Sequence, residues 1–89
     1  MTGTHRASAE QLEQVILQLL RQRAPQASIC PSDAARAAQP DGWRALMPGI
    51  RAAAARLAAR GQVDITQRGQ VVDLATARGP VRIRRARGS

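Results

Sequence analysis

The residue type best suited to chemistry in this 89-residue chain is arginine, which supplies all 14 basic side chains against six carboxylates, for a net charge of +8. A guanidinium is planar and always charged, and it donates paired hydrogen bonds to phosphate oxygens or to guanine. The excess of positive charge predicts a polyanionic partner, above all nucleic acid. Codon bias is the alternative explanation. It accounts for arginine in place of lysine, but not for the excess of bases over acids.

The residues that could support catalysis do not form a recognisable set. Ser32 has no evident base, no glycine-rich phosphate-binding loop is present, and a single histidine (His5) with a single cysteine (Cys30) makes a zinc site implausible. No pair of carboxylates has a spacing typical of acid–base catalysis; these are Glu10, Glu13, Asp33, Asp41, Asp64 and Asp73. We therefore predict no enzyme activity, no metal and no cofactor.

Cys30 and Trp43 are the other chemically distinctive residues. Cys30 precedes a predicted helix N-terminus, a setting that suits a redox sensor, but an inert, buried cysteine is the commoner case and the one we favour. Trp43, the only aromatic residue, is expected to anchor a turn, since one ring makes no platform for single-stranded nucleic acid. A lone cysteine, with no signal peptide and no membrane span, predicts a cytoplasmic protein.

The first element that must position these residues is a helix beginning after Ser8. Ser8 and Gln11 have the spacing of a capping box. We expect Arg21 and Arg23 in the last turn and Pro25 to end the helix. Apolar residues follow the cap at helical spacing; these are Leu12, Val15, Ile16, Leu19 and Leu20.

Two further helices are predicted on either side of a turn. Pro31 is placed at the first position of the second helix, and residues 39–42 form the turn. A short helical lead-in at 43–47 precedes a third helix over 48–60, which Gly61 stops. The buried face of the third helix is expected to consist of Ile50, Ala53, Ala54 and Leu57.

Beyond Gly61 the apolar residues alternate, which predicts strands. Val63 and Ile65 should face inward and Asp64 and Thr66 outward, with a two-residue hairpin turn at Arg68–Gly69. A last strand is expected from Pro80, with Val81 and Ile83 inward, Arg82 and Arg84 outward, and a loose basic tail from Arg85. The predicted fold is α+β: a winged helix-turn-helix domain over 8–85, whose three helices precede a small antiparallel sheet. Residues 1–7 form a disordered N-terminus and 86–89 a basic tail.

Three separated motifs resemble a small family of uncharacterised bacterial domains. They are Ile29-Cys30-Pro31-Ser32-Asp33-Ala34-Ala35-Arg36-Ala37, Trp43-Arg44-Ala45-Leu46-Met47-Pro48 and Arg78-Gly79-Pro80-Val81-Arg82. Together they cover most of residues 10–85. The family looks like winged-helix proteins of unknown function, so the resemblance implies the fold and no activity.

The third helix is the first candidate for binding. Its outward side should carry Pro48, Ala52, Ala55 and Ala59, bordered by Arg51 on one edge and Arg56 on the other. Small side chains allow close approach to a DNA groove, where the arginines, together with Arg44, would reach phosphates or guanine. The alternative is an alanine-rich, solvated helix with scattered arginines.

The hairpin, or wing, is the second candidate. Arg68 lies at its predicted tip, and Arg82 and Arg84 add charge nearby, although outward arginines also protect an edge strand from pairing. The sequence thus favours a double-stranded DNA-binding module, such as a small transcriptional regulator, acting as a homodimer if it is sequence-specific. A protein-interaction domain is the second hypothesis, and RNA binding is the third.

Overall fold

The structure, a computed structural model, describes residues 8–86 and comprises three helices and a four-stranded antiparallel sheet. The predicted α+β arrangement is therefore confirmed, with the element order of a winged helix. The predicted disordered N-terminus, 1–7, and residues 87–89 of the predicted tail lie outside the described residues. Within 8–86, no helix has the length and apolar character needed to span a membrane.

The first helix, α1, runs Ala9–Arg21 and begins with the predicted capping box. The Gln11 N–H donates to Ser8 Oγ (3.1 Å), and the Ser8 N–H donates to Gln11 Oε1 (2.8 Å). These two bonds satisfy backbone donors that a helix start otherwise leaves unpaired. Arg23 lies beyond the helix and not in its last turn, because Gln22 already caps the C-terminus.

The second and third helices flank a tight turn, as predicted. Helix α2 runs Pro31–Ala38, a 3-10 turn occupies Trp43–Leu46, and α3 runs Met47–Ala59. Helix α3 begins one residue before Pro48, which fits in a first turn because its missing N–H would have no helical partner there. Gly61 follows α3 with a φ of +76°, the left-handed conformation predicted for the residue that stops the helix.

The sheet has the strand order β1–β4–β2–β3, all pairs antiparallel. Its strands are β1 at Ser28–Ile29, β2 at Val63–Gln67, β3 at Gln70–Val71 and β4 at Arg82–Arg85. Strand β4 begins after Pro80, which has no N–H to donate to the ladder. Because β4 lies between β1 and β2, the prediction that Arg82 and Arg84 protect an edge strand is wrong.

The core lies between the helices and one face of the sheet. It confirms the predicted buried face of α3 and the inward orientation of Val63, Ile65, Val81 and Ile83. Thr66 was expected to face solvent but is buried. It lies directly opposite Val71 and Arg82 on the flanking strands, and cross-strand partners share a face, so Thr66 has a neighbouring side chain on each side of β2.

Candidate nucleic-acid interface

The outward side of α3 is a narrow surface of small residues, here called the outer strip. It consists of Pro48, Ala52, Ala55 and Ala59, all of which are exposed. The opposite side of the helix is fully buried at Ile50, Ala53, Ala54 and Leu57, which fixes the rotation of α3 about its axis. Because no side chain in the strip extends beyond a methyl group or a proline ring, another molecule can approach the helix backbone closely.

One edge of the outer strip is tied to α1. Arg56 Nε donates to Glu13 Oε2 (2.5 Å), and Arg60 Nη2 donates to Glu13 Oε1 (2.5 Å). Arg56 Nη2 also donates to the Ala9 carbonyl (3.3 Å). The hydrogen bonds from Arg56 and Arg60 hold the pKa of Glu13 below its usual 4.5, so the carboxylate stays charged. Arg56, predicted to border a DNA groove, is thus engaged in holding α3 against α1.

The other edge of the outer strip carries Arg51. Its side chain is partly exposed and makes no hydrogen bond or ion pair with any residue in 8–86. Its guanidinium therefore has no counter-ion within these residues and is available to a ligand beside the small residues of the strip.

A second group of arginines surrounds Trp43, in the turn between α2 and α3. Trp43 is half-buried and packs against the core, as expected of a turn anchor. Its ring also carries two guanidiniums, with Arg36 Cζ 4.5 Å and Arg44 Cζ 4.8 Å from the ring centroid. These are cation–π distances. Arg44 was predicted as a binding residue; Arg36 was not, because nothing in its spacing indicates that it shares a ring with Arg44.

The wing tip is the predicted two-residue turn. Arg68 has a φ of +54° and Gly69 a φ of +81°, the left-handed pair of a tight hairpin turn. Arg68 is exposed and has no hydrogen-bond or ion-pair partner in the described part of the chain. The neighbouring Gln67 braces the wing, since its Nε2 donates to the carbonyls of Arg78 (2.5 Å) and Pro80 (3.1 Å). The tip thus presents an unpaired positive charge on a supported hairpin.

The side chains of Arg82 and Arg84 contact residues on the strands next to β4. Arg82 Nε donates to Ser28 Oγ (2.8 Å) and its Nη2 donates to the Ser28 carbonyl (3.0 Å), which links β4 to β1. Arg84 Nε lies 3.6 Å from Asp64 Oδ2, on the paired strand β2, and is buried without a hydrogen-bond partner. Both predicted binding residues are therefore directed toward partners within the domain.

The N-terminus of α2 is closed by its own side chains. Asp33 Oδ2 accepts from the Cys30 N–H (3.0 Å), and Cys30 Sγ lies 3.1 Å from Ser32 Oγ. Burial alone would raise the pKa of Asp33, but hydrogen bonds from Cys30 and the charges of Arg23 and Arg82 lower it below its usual 3.8. Cys30 is half-buried within this cap, and an inert role for its thiol stays a prediction.

Across residues 8–86, no three His, Cys, Asp or Glu side chains lie close enough together to hold a metal ion. Glu13, which was not predicted as a site residue, lies on the buried side of α1 and links this helix to α3. Its place beside Leu12, on the apolar stripe, was a usable signal, because a carboxylate there requires a cationic partner.

Comparison with known proteins gives a family without an assigned activity. No curated protein matches the chain significantly. One family model, described as "Protein of unknown function (DUF3253)", matches residues 9–86, which cover every helix and strand of the structure. The chain is therefore a member of the DUF3253 family.

Proposed function

We propose that this domain binds double-stranded DNA, with the outer strip of α3 in the major groove and the wing on the adjacent backbone. The observation that carries the proposal is the distribution of unpaired arginines. The side chains of Arg44, Arg51 and Arg68, on the helix-turn-helix and the wing tip, make no hydrogen bond or ion pair within the described residues. By contrast, Arg56, Arg60 and Arg84 face carboxylates.

This distribution matters because a paired arginine contributes little to binding a polyanion. Releasing a guanidinium from Glu13 would leave a charged carboxylate, 12% exposed, without one of its two partners. An arginine without an ion pair loses only bound water when it contacts a phosphate, so the free-energy cost of that contact is low. The charge available to DNA therefore lies on the two elements that a winged helix places against a duplex.

A small regulator of transcription is the form of this function that we favour. One domain of this size reads few base pairs, so sequence-specific recognition requires a homodimer on two half-sites. Within the domain, Arg51 is best placed to read base edges because it borders the outer strip. Arg44, in the turn before α3, and Arg68, at the wing tip, would contact backbone.

The experiment is a salt titration with a fluorescently labelled random duplex, followed by anisotropy. Log affinity should fall linearly with log salt, and the slope should become shallower by about 0.9 for each arginine–phosphate contact removed. Arg68→Gln should show this change, whereas Arg51→Gln should lower the affinity because it removes a contact to base edges. The matched control is Arg21→Gln, which removes an exposed, unpaired arginine from the end of α1. No binding at low salt, or an equal loss in the control, would refute the proposal.

A protein-interaction domain is the second candidate, favoured by the uncharged character of the outer strip. Arg51→Gln separates the two functions: loss of this charge should weaken DNA binding but leave the docking of an apolar protein surface on the outer strip nearly unchanged. RNA remains the third candidate, and competition of the labelled duplex with unlabelled RNA of equal length distinguishes it.

A further inference from the structure

In the Arg36–Trp43–Arg44 cluster, two positive charges lie close together with no carboxylate of residues 8–86 in ion-pair contact, unlike the arginines that form ion pairs. Both guanidiniums lie over one indole ring, at 4.5 and 4.8 Å from its centroid. They are therefore at most about 9 Å apart, the sum of the two distances. Both arginines are exposed, and neither side chain makes an ion pair or hydrogen bond with a residue of 8–86.

Elsewhere in residues 8–86, the arginines that make side-chain hydrogen bonds or ion pairs meet an acceptor. Arg56 and Arg60 reach Glu13, Arg84 faces Asp64, and Arg85 Nη2 donates to the Leu20 carbonyl (2.8 Å). At Trp43, two positive charges gather instead around a neutral ring. The ring attracts each guanidinium through its π-face but neutralises neither. An anion bound between or beside them would relieve their mutual repulsion, so the cluster is arranged to accept negative charge.

The spacing fits a nucleic-acid backbone. Successive phosphates of one DNA strand advance by about 3.4 Å along the helix axis and also turn around it, so they are farther apart in space than this rise. Guanidiniums on long side chains at most about 9 Å apart can reach two such neighbours. The cluster also lies on the turn that joins α2 to α3. Phosphate contacts at this position would set how deeply and at what angle α3 enters the groove, without reading sequence.

We propose that Arg36 and Arg44 form a clamp for neighbouring backbone phosphates of duplex DNA, and that Trp43 is the positioning residue that holds both guanidiniums in place. This inference rests on the proposed DNA-binding function and deepens it by assigning the backbone contact of the helix-turn-helix. It adds Arg36, on α2, to the interface. It also gives Trp43 a second role beside that of an anchor for the turn.

The first test measures the clamp itself. Arg36→Gln with Arg44→Gln should make the salt slope for the labelled duplex shallower by about 1.8, corresponding to two phosphates. The control pair, Arg21→Gln with Arg23→Gln, removes the same charge from exposed positions at and beyond the end of α1. An unchanged slope in the clamp variant, with normal binding by the wild type, would overturn the clamp and leave the proposed function intact. No binding by the wild type would overturn both.

The second test asks whether Trp43 acts through the arginines. Trp43→Leu keeps an apolar anchor without a π-face, and Trp43→Phe restores a ring. If Trp43 positions the arginines, Trp43→Leu should weaken binding in the wild type but have little further effect on the Arg36→Gln, Arg44→Gln variant, and Trp43→Phe should recover most of the affinity. Equal losses in both backgrounds would reduce Trp43 to a purely structural anchor.

An independent readout covers the case in which Trp43→Leu does not fold. In the wild type, phosphates that engage the guanidiniums should change the Trp43 fluorescence, with a midpoint equal to that of DNA binding by anisotropy. In the double arginine variant, Trp43 emission should be the same without DNA and at a duplex concentration that saturates binding. A fluorescence change that persists without the arginines would contradict the positioning role.

Discussion

Replacing Arg68 with asparagine should make the domain more stable while weakening its binding to DNA. Arg68 holds the first position of the wing-tip turn with a φ of +54°, the only residue other than glycine with a positive φ in 8–86. In this left-handed region the Cβ of an ordinary residue crowds the following carbonyl, at a cost of about 1–2 kcal/mol. Asparagine followed by glycine is the preferred pair for such a turn, and Gly69 is already in place.

The expected increase in the free energy of unfolding follows from this left-handed conformation. Asparagine is several-fold enriched in the left-handed region, which corresponds to about 0.5–1 kcal/mol. Arg68 makes no hydrogen bond or ion pair within 8–86 that the substitution would remove. For a domain of this size, 1 kcal/mol shifts Tm by about 4–8 °C. Arg68→Asn should therefore raise Tm by about 2–8 °C in thermal unfolding followed by circular dichroism.

Loss of a positive charge alone could stabilise a domain with a net charge of +8, so the control must remove the same charge nearby. Arg78→Asn does so: Arg78 lines the same surface depression as Arg68, is exposed, and has an ordinary negative φ. The turn accounts only for the part of the Tm increase by which Arg68→Asn exceeds Arg78→Asn.

The same variant tests the wing as a DNA contact. Its salt slope should become shallower by about 0.9, the contribution of one phosphate. A Tm equal to or below that of Arg78→Asn would refute the argument from backbone strain. A raised Tm with an unchanged salt slope would instead remove Arg68 from the interface. A raised Tm with a reduced slope would show that Arg68 strains the turn but contributes its charge to DNA binding.

Three further predictions concern the stability of the domain. Ser8→Ala removes the side-chain acceptor of the α1 cap and should cost about 1 kcal/mol, measured as a fall in Tm that Ser8→Asn does not show. Leu57→Ala, at a fully buried site, should cost about 2–5 kcal/mol, measured by urea unfolding; a loss near zero would contradict its place in the core. The lowered pKa of Glu13 means that its ionised form stabilises the fold above pH 4.5 and that this contribution is lost as the pH falls through the folded pKa. Glu13→Gln should therefore have a lower Tm than the wild type at neutral pH, with the difference disappearing in acid; a constant difference would contradict the ion pair.

Much of the fold could be predicted because its signals are local. The capping box at Ser8, Pro31 at the start of α2, Gly61 after α3 and the Arg68–Gly69 turn each depend on residues within a few positions of one another. These residues favour particular backbone conformations whatever the rest of the fold is, so their effect can be predicted from the local sequence. The placement of β4 was not predictable in this way, because strand order depends on contacts between distant segments, such as the pairing of β1 with β4.

The sequence by itself determined the number of charges, the helices and the hairpin, and the outward face of α3. Tertiary structure alone decided which arginines are available. Glu13 lies 43 residues from Arg56 in the chain, and Ser28 lies 54 residues from Arg82, so no local pattern shows that these side chains meet. Arginines are alike in sequence, but packing brings some against carboxylates or carbonyls and leaves others in solvent. The electrostatic surface is therefore a property of the fold, because charges cancel only between groups that packing brings within a few ångströms.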